Sequence, residues 1–381
     1  MNQGRGGMKE LKDIYGARLE RVYAYMRENS FGAAVFHDSE DNRDPALRYL
    51  TGLPGDGVLV LTDEGRSCLC PWDENLAAER AHADSIIPLT KFSRDAVIAV
   101  KEILRGTDPS VRSIALPPVT PYPRVKKYEA ELPEWKVICE EKGVHEAVRE
   151  MRAQKDSYEI ECTKKACLIT SAMTDEFEAM LRAGKSLTET DVALFIERRL
   201  REEGCERTSF DTLAAGPGRS FAIHAFPGYT AGAWGSCGLS ILDYGVCFEG
   251  YASDCTITVA RGPLSKEQER ILDLVQAAAD ECLGLYVPGG RIIDAARKAD
   301  EIFSAEGRSM PHGLGHGTGL EIHEAPFINP RAGNRVFMPG NIVTLEPGLY
   351  DARLGGCRLE NDILITESGG QVLTNSRIIR L

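Results

Sequence analysis

The chain has 381 residues, of which 43% are hydrophobic and 27% charged, and it carries a formal net charge of −12 at pH 7. These values are ordinary for a globular protein of two domains, and the negative charge argues against nucleic acid or an anionic membrane as a partner. No apolar run reaches the length of a membrane span. The eleven cysteines include no C-x-x-C pair, and the N-terminus lacks the apolar core of a signal peptide, so we expect a cytoplasmic protein with free thiols.

Residues 1–150 show strands alternating with helices, which predicts an α/β domain. The charged segment Val144–Gln154 marks its predicted end. The histidines in this domain are isolated from one another, so we predict no catalytic cluster there. The predicted helices are residues 9–30, Glu74–His82 and Asp95–Leu104, and the predicted strands are Phe31–Phe36, Val58–Leu61, Ser67–Cys70, Ser113–Leu116 and Trp135–Glu140.

Residues 151–381 repeat one order of elements, in which two helices are followed by a β-rich run. Asp156 with Glu159, and Ser265 with Gln268, have the spacing of capping boxes, and each pair opens a long helix. The other two predicted helices are Thr188–Glu203 and Arg291–Ala305, and the β-rich runs cover roughly 208–260 and 310–381. The repeated order predicts an α+β domain with two similar halves, although the sequence itself does not repeat.

Three of the seven histidines fall within Met310–Pro326, which reads MPHGLGHGTGLEIHEAP. These are His312, His316 and His323. The alternating glycines disfavour a helix and indicate an extended segment in which other groups approach the backbone closely. Neutral imidazole is the commonest metal ligand and the usual proton carrier near pH 7. The segment is therefore a candidate metal or catalytic site.

Two aspartates, Asp243 and Asp254, lie on either side of a predicted hairpin that turns within Cys247–Gly250. They are equidistant from the centre of that turn, which predicts that they face each other with Cβ atoms roughly 5 Å apart. Facing carboxylates repel unless one is protonated or a cation lies between them. The alternative is that one aspartate lies in the turn and the other on a solvated face.

Two further carboxylates end or begin apolar strands. Glu346 follows Ile342–Leu345 directly, and alternation places Arg358, Glu360 and Asp362 on one face of the final β-rich stretch. Arg358 and Glu360 could equally form a structural ion pair.

Four carboxylates and one imidazole form an oxygen-rich donor set. Such a set suits Mn, Co, Fe or Zn in a two-metal site better than it suits a structural zinc ion, which prefers Cys and His. One cation could not balance four carboxylates, whereas two cations sharing bridging carboxylates could, and such a pair lowers the pKa of bound water. The set consists of Asp243, Asp254, His316, Glu346 and Glu360.

These stretches resemble the pita-bread metallopeptidases, the superfamily of methionine aminopeptidase, aminopeptidase P and prolidase. The motifs are HGLGHGTGLEIHEAP, the aspartate pair, TLEPGLY and RLENDILIT. The resemblance implies a pita-bread catalytic domain over 151–381 with pseudo-two-fold halves, preceded by a creatinase-type α/β domain over 1–150, which methionine aminopeptidases lack. It also implies two divalent cations per chain, Mn or Co before Zn or Fe, on the five ligands named above, with Asp254 and Glu360 bridging.

The resemblance places His224, His312 and His323 around the substrate and Arg358 beside the bridging glutamate. His323 is expected to stabilise the oxyanion and Glu346 to handle the proton. Arg358, with His312 as second candidate, is the cation expected to bind the carboxylate of a terminal proline.

The implied activity is hydrolysis of Xaa–Pro bonds in proline-containing peptides, by a homodimer. A dipeptidase is slightly favoured over an aminopeptidase P that accepts longer peptides. A creatinase-like hydrolase without metals and a binding module without activity rank lower, because all five ligands are present. Three positions depart from the family pattern, namely Ile257, Thr318 and Asn361. None removes a ligand, but Ile257 and Asn361 could change groups behind the ligands.

Overall fold

The computed structural model describes residues 5–381, with side chains described from Leu11 onward. The chain divides into two units between Arg152 and Ala153. In the first unit the helices are α1 (Arg5–Glu28), α2 (Pro45–Thr51), α3 (Glu74–Arg80), α4 (Ala96–Leu104), α5 (Tyr122–Glu131) and α6 (Val144–Ala153), and the strands are β1 (Ala33–Asp38), β2 (Gly57–Thr62), β3 (Arg66–Pro71), β4 (Ser85–Ile86), β5 (Ser113–Ala115) and β6 (Lys136–Ile138).

The first unit is an α/β layer built on one mixed sheet of six strands, in the order β4-β3-β2-β1-β5-β6. Its central strands β1 and β2 are almost wholly buried, which explains their near-continuous apolar sequence. The predicted helices and strands of this unit are present, each within a few residues of its predicted ends. Three helices were not predicted, namely α2, α5 and α6, the last of which forms the charged segment at the predicted boundary. Asp44 caps α2 by accepting from the Ala46 backbone N–H, with Pro45 in the first turn.

The second unit contains four helices and sixteen short strands among the described residues. The helices are α7 (Ser157–Arg182), α8 (Glu189–Glu202), α9 (Lys266–Leu283) and α10 (Ile292–Ser304). The strands are β7 (Leu187–Thr188), β8 (Arg207–Thr208), β9 (Leu213–Ala215), β10 (Ala233–Trp234), β11 (Gly238–Tyr244), β12 (Val246–Phe248), β13 (Tyr251–Ala252), β14 (Cys255–Arg261), β15 (Gly315–Gly317), β16 (Glu324–Ile328), β17 (Ile342–Leu345), β18 (Gly348–Asp351), β19 (Gly355–Arg358), β20 (Glu360–Thr366), β21 (Gly369–Val372) and β22 (Ile378–Arg380).

Both predicted capping boxes are present at the starts of α7 and α9. The main sheet runs β16-β15-β17-β20-β14-β11-β9, with β21 and β22 pairing at β20 and β14. One apolar cluster packs α7 and α8 against β11 and β14, and another packs α9 and α10 against β17 and β20. The predicted α+β domain of two similar halves is therefore confirmed, and the halves join where β14 pairs with β20.

No described helix combines the length and the apolar character that a bilayer crossing requires. All eleven cysteines are free thiols.

Candidate active site

A cavity of about 990 Å³ opens in the second unit. It lies against the strands that meet at the junction of the two halves. All nine residues predicted for the site line this cavity: Asp243, Asp254, His316, Glu346, Glu360, His224, His312, His323 and Arg358.

The predicted hairpin is present, but its register differs from the prediction. The turn is Glu249-Gly250, and both residues have positive φ, at 49° and 86°, as a type I′ turn requires. This centre lies one residue later than we predicted, so Asp243 pairs with Thr256 rather than with Asp254. Asp254 lies two residues before Thr256, and so on the same face of the sheet but diagonally across from Asp243. The predicted direct opposition is wrong, while the shared face remains.

The tightest part of the site contains Asp254, His316 and Glu360. One ligand atom from each lies within 4.8 Å of the others. The three side chains are 4%, 7% and 2% exposed. Asp254 immediately precedes β14, Glu360 begins β20 and His316 is the middle residue of β15. Three segments from distant parts of the chain therefore bring two carboxylates and an imidazole to one point.

His316 has one nitrogen directed at the carboxylates. Its Nδ1 lies 3.2 Å from the carbonyl oxygen of Gly317, and a carbonyl can only accept, so Nδ1 carries the proton. Its Nε2 then presents a lone pair, 3.6 Å from oxygens of both Asp254 and Glu346. Burial lowers the pKa of His316 to about 4, and His323 adds to this effect. A neutral imidazole with a free Nε2 is the form that binds a metal.

The carboxylates crowd one another, which shifts their pKa values upward. Burial, and then the charges of Glu360 and Asp243, raise the pKa of Asp254 well above its ordinary value. Burial, and then Glu346 and Asp243, do the same to the pKa of Glu360. Burial also raises the pKa of Glu346 to about 8, against a lowering effect of Arg358, although 18% of its side-chain surface is exposed. A cation between these groups would reverse every one of these shifts.

Two buried oxygens at the site have no hydrogen-bond partner among the described residues. They are Oδ1 of Asp243 and Oδ1 of Asp254. A buried carboxylate oxygen without a partner is costly. Both aspartates line the cavity. The donor set and these orphaned atoms together fit divalent metal ions.

Arg358 is buried beside the carboxylates, and each of its three side-chain nitrogens donates a hydrogen bond to a protein group. Its Nη2 donates to Asp243 Oδ2 at 2.5 Å, its Nε to Thr256 Oγ1 at 3.1 Å, and its Nη1 to Tyr350 Oη at 2.8 Å and to the Ile223 carbonyl at 3.2 Å. The side chain is 2% exposed. Four of the five N–H groups are thus bonded to protein, and one N–H of Nη2 is left for the expected contact with a substrate carboxylate. Arg358 also orients Asp243.

His312 is the end of a hydrogen-bonded chain that starts at Arg358. Tyr350 accepts from Arg358 and lies 2.9 Å from Nε2 of His312. His312 Nδ1 donates to the Gly313 carbonyl at 2.8 Å, so Nε2 accepts the Tyr350 proton. Burial, and then the charge of Arg358, lower the pKa of His312 to about 4. His312 is therefore neutral and held in one orientation, which does not suit it as a cation for a carboxylate.

His323 and His224 are the exposed histidines of the cavity. The ring of His323 packs edge-on against His316, with ring centroids 4.3 Å apart. Burial, followed by the effect of His224, lowers the pKa of His323. His224 belongs to the loop 216–230, which lines one wall of the cavity. Both imidazoles are placed where an incoming peptide would contact them.

Glu189, which was not among the predicted site residues, supports the loop carrying His224. Glu189 is 1% exposed. It accepts from the backbone N–H groups of Gly216 and Thr230, each at 2.7 Å, and from the Thr230 hydroxyl at 2.6 Å. Arg219 lies 3.4 Å away as its counter-charge. The available signal was an acidic residue at the first position of α8 that is followed by no basic partner on the same turn.

The three departures from the family pattern have structural explanations. Ile257 is fully buried in the apolar cluster of α7 and α8. Asn361 accepts from the Thr374 hydroxyl at 3.0 Å and from the Ser376 backbone at 2.8 Å. Thr318 donates to Asp362 at 3.3 Å. Asp362 is 0% exposed, and burial raises its pKa to about 7. None of these residues touches the cavity directly.

Comparison with known protein families identifies both units. The description "Metallopeptidase family M24" matches residues 161–367, and "Creatinase/Prolidase N-terminal domain" matches residues 18–154. The first match covers more than half of the chain, so the chain belongs to metallopeptidase family M24. This confirms the predicted family, its pita-bread fold with a creatinase-type N-terminal domain, and the prediction that the protein is a peptidase. The family also implies divalent metal, for which Asp254, His316 and Glu360 form the candidate site.

Individual relatives lie in the proline-specific branch that the motifs predicted. The Xaa-Pro dipeptidase of Pyrococcus horikoshii is 28% identical over 369 residues, which cover 96% of this chain and 98% of that protein. The Xaa-Pro dipeptidase of Pyrococcus furiosus is 29% identical over 367 residues, covering 94% and 98%.

Solved structures agree with these relatives. The Xaa-Pro dipeptidase of Bacillus anthracis superposes with a TM-score of 0.84 at 25% identity, over 96% of this chain and 100% of that one. An X-Pro aminopeptidase of Thermotoga maritima superposes with a TM-score of 0.81 at 25% identity, again over 96% and 100%. Dipeptidases and an aminopeptidase are thus similar to this chain to nearly the same degree.

Proposed function

We propose that this member of metallopeptidase family M24 is an exopeptidase that hydrolyses the Xaa–Pro bond of proline-containing peptides with two divalent metal ions. The observation that carries the proposal is the convergence of Asp254, His316 and Glu360 within 4.8 Å in a cavity that Asp243 and Glu346 also line. Oxygen-rich donors with one imidazole favour Mn or Co, with Zn or Fe as alternatives.

The five ligands divide into bridging and terminal roles. Asp254 and Glu360, which crowd each other at the junction of the halves, are assigned to both ions, and Asp243, His316 and Glu346 to one each. When bound, the ions supply an activated water as nucleophile and polarise the scissile carbonyl.

The chain's own groups would move the proton and stabilise charge. Glu346, which lines the cavity beside the other carboxylates, would hold the proton taken from the attacking water and return it to the departing proline nitrogen. His323, at the rim of the cavity beside His316, donates to the carbonyl oxygen as negative charge develops there. His312 and His224 contact the substrate, and Arg358 keeps Asp243 oriented.

The names of the two Pyrococcus relatives favour a dipeptidase. A specific observation keeps the aminopeptidase as a second candidate. Arg358 is the one arginine or lysine among the described residues that line the cavity, and its nitrogens are engaged by protein groups. A terminal proline carboxylate would therefore have one Nη2 N–H of Arg358, together with His323 and His224, as its candidate side-chain donors.

We also infer a cytoplasmic location and a homodimer. The location is supported by eleven cysteines that are all free in the structure. The homodimer rests on the family resemblance alone.

The test combines elemental analysis with a substrate panel. Purified protein should contain two divalent ions per chain, lose activity on chelation and regain it with Mn or Co. Ala-Pro should be cleaved faster than Ala-Pro-Ala by a dipeptidase, and equal or faster cleavage of Ala-Pro-Ala would establish the aminopeptidase instead. Full activity after complete metal removal would favour the creatinase-like alternative, and the absence of both metal and activity would favour a binding module.

Ligand variants test the bridging assignment. Asp254→Asn and Glu360→Gln should each lose metal as well as turnover, because each carboxylate serves both ions. Glu367→Gln is the matched control, since Glu367 is exposed on the turn that follows β20. Two ions per chain and normal turnover in either ligand variant would refute the assignment.

A further inference from the structure

Asp362 is a fully buried carboxylate that does not line the cavity. It lies on β20, two residues after the metal ligand Glu360, and its exposed fraction is 0%. Burying a carboxylate is expensive unless donors surround it. The burial of the Asp362 carboxylate therefore requires an explanation other than packing.

Three donors meet the Asp362 carboxylate. Its Oδ2 accepts from the backbone N–H of Asp254 at 2.7 Å and from the thiol of Cys167 at 3.3 Å. Its Oδ1 accepts from the hydroxyl of Thr318 at 3.3 Å. All four groups are buried. Both oxygens of the carboxylate are thus used, and the backbone donor is the closest.

These bonds connect the three segments that carry the tightest group of ligands. Asp254 is itself a ligand, Thr318 lies two residues after His316, and Asp362 lies two residues after Glu360. In extended chain, residues two apart share a face, so Asp362 lies beside Glu360 and Thr318 beside His316, while the third bond uses the backbone of the ligand Asp254 itself. Cys167 adds α7 as a fourth anchor.

We propose that Asp362 is a positioning residue, which sets the spacing of Asp254, His316 and Glu360 by joining their three segments through one carboxylate. Thr318 is its partner on the histidine segment. The inference rests on the proposed function in that the three side chains bind metal. It goes further by assigning a role to a residue that contacts neither metal nor substrate.

The chemistry of the carboxylate explains why a smaller or neutral side chain would serve less well. A carboxylate offers two acceptor oxygens, whereas an amide offers one acceptor and one donor group. Asp362→Asn can keep the bond to the Asp254 N–H but not all three donors. Asp362→Ala leaves the Asp254 N–H buried without an acceptor.

The experiment measures Co(II) binding to metal-stripped protein, so it does not depend on turnover. Co(II) affinity is obtained by competition with a chromophoric chelator, and the visible absorption spectrum of bound Co(II) reports ligand geometry. We expect Asp362→Ala to bind about 10- to 100-fold more weakly, as for other groups behind metal ligands, with an altered spectrum. Asp362→Asn should be intermediate, and Thr318→Val should weaken binding less than Asp362→Ala.

Ser240→Ala is the matched control, because the buried Ser240 hydroxyl also accepts from a backbone N–H, that of Gly235 at 3.0 Å, without joining ligand segments. It should retain the parent affinity and spectrum. Equal losses in Ser240→Ala and Asp362→Ala would overturn the positioning role, as would parent-like binding by Asp362→Ala.

If Asp362→Ala does not fold, Asp362→Asn and Thr318→Val decide the question, and parent-like affinity and spectra in both would overturn the proposal. Failure of the parent chain itself to bind Co(II) would instead refute the proposed metallopeptidase function. The two failures are therefore distinguishable.

Discussion

Lowering the pH should displace metal from the site, because protons and cations compete for the same carboxylates. Without metal, burial raises the pKa of Glu346 to about 8, and the pKa values of Asp254 and Glu360 also lie above their ordinary range. His316, with a pKa of about 4, stays neutral throughout this range. Metal binding near neutral pH must therefore release at least one proton.

The magnitude follows from one displaced proton. Each pH unit below the pKa of a group that must ionise costs 1.36 kcal/mol, or tenfold in affinity. Between pH 8, where Glu346 is half ionised, and pH 6, Glu346 alone should weaken metal binding by about fiftyfold. Protons bound to Asp254 or Glu360 would make the metal affinity depend more steeply on pH.

The assay is competition between metal-stripped protein and a chromophoric chelator from pH 6 to 8.5, with calorimetry in two buffers to count released protons. Glu346→Gln should release one proton fewer, and Glu367→Gln should behave as the parent. An affinity that changes less than threefold over this range, with no proton release, would refute the reasoning.

The same shifts fix the sign of the pH dependence of stability. An acid whose folded pKa exceeds its unfolded pKa binds more protons when folded, so its contribution to stability is lost as the pH rises. Histidines with lowered pKa, such as His312 and His316, act in the opposite direction, but only below about pH 6.5. From pH 6.5 to 8 the melting temperature of metal-free protein should therefore fall, and bound Mn should remove the fall. A melting temperature that rises in metal-free protein would show that Glu346 is already ionised.

Two further predictions concern groups around the ligands. His323→Ala should keep its metal while turnover falls about 10²-fold, as for loss of an oxyanion donor. Its metal content is compared with that of the control variant His82→Ala, and a loss of metal in His323→Ala alone would show that His323 is a ligand. Glu189→Gln should raise KM for peptides and lower the free energy of unfolding by about 1–3 kcal/mol, because an amide cannot accept from all the donors that the carboxylate holds. An unchanged KM would show that the loop carrying His224 does not depend on Glu189.

That the candidate ligands line one cavity could be predicted from the sequence, because each lies in a short local pattern. His316 stands in a glycine-rich extended segment, Glu346 ends an apolar strand, and Glu360 begins one. The register of the hairpin could not be predicted as well, because a two-residue turn at Glu249-Gly250 and one placed a residue earlier leave similar patterns in the flanking strands. Only the positive φ at both turn residues selects the observed turn.

The supporting residues were beyond sequence reasoning for a different reason. Asp362 meets Asp254 across 108 residues of chain and Cys167 across 195. Glu189 meets Gly216 and Thr230 in a loop without regular structure. Arg358 was predicted on the correct face, but its engagement with Tyr350 and Asp243 depends on the pairing of separate strands. Nothing local to these residues encodes such contacts.

The position of the site at the junction of the halves explains why it is so polar. The two apolar clusters lie on either side of that junction, and of its four paired residues only Cys255 belongs to either cluster. There β14 pairs with β20 through Cys255–Asn361 and Thr256–Glu360. Thr256 also pairs with Asp243 on the other side, and its hydroxyl both donates to Glu360 and accepts from Arg358. Carboxylates from both halves therefore face each other across a short ladder. Ions shared by Asp254 of one half and Glu360 of the other would replace that repulsion with attraction, so the catalytic metals would also hold the two halves together.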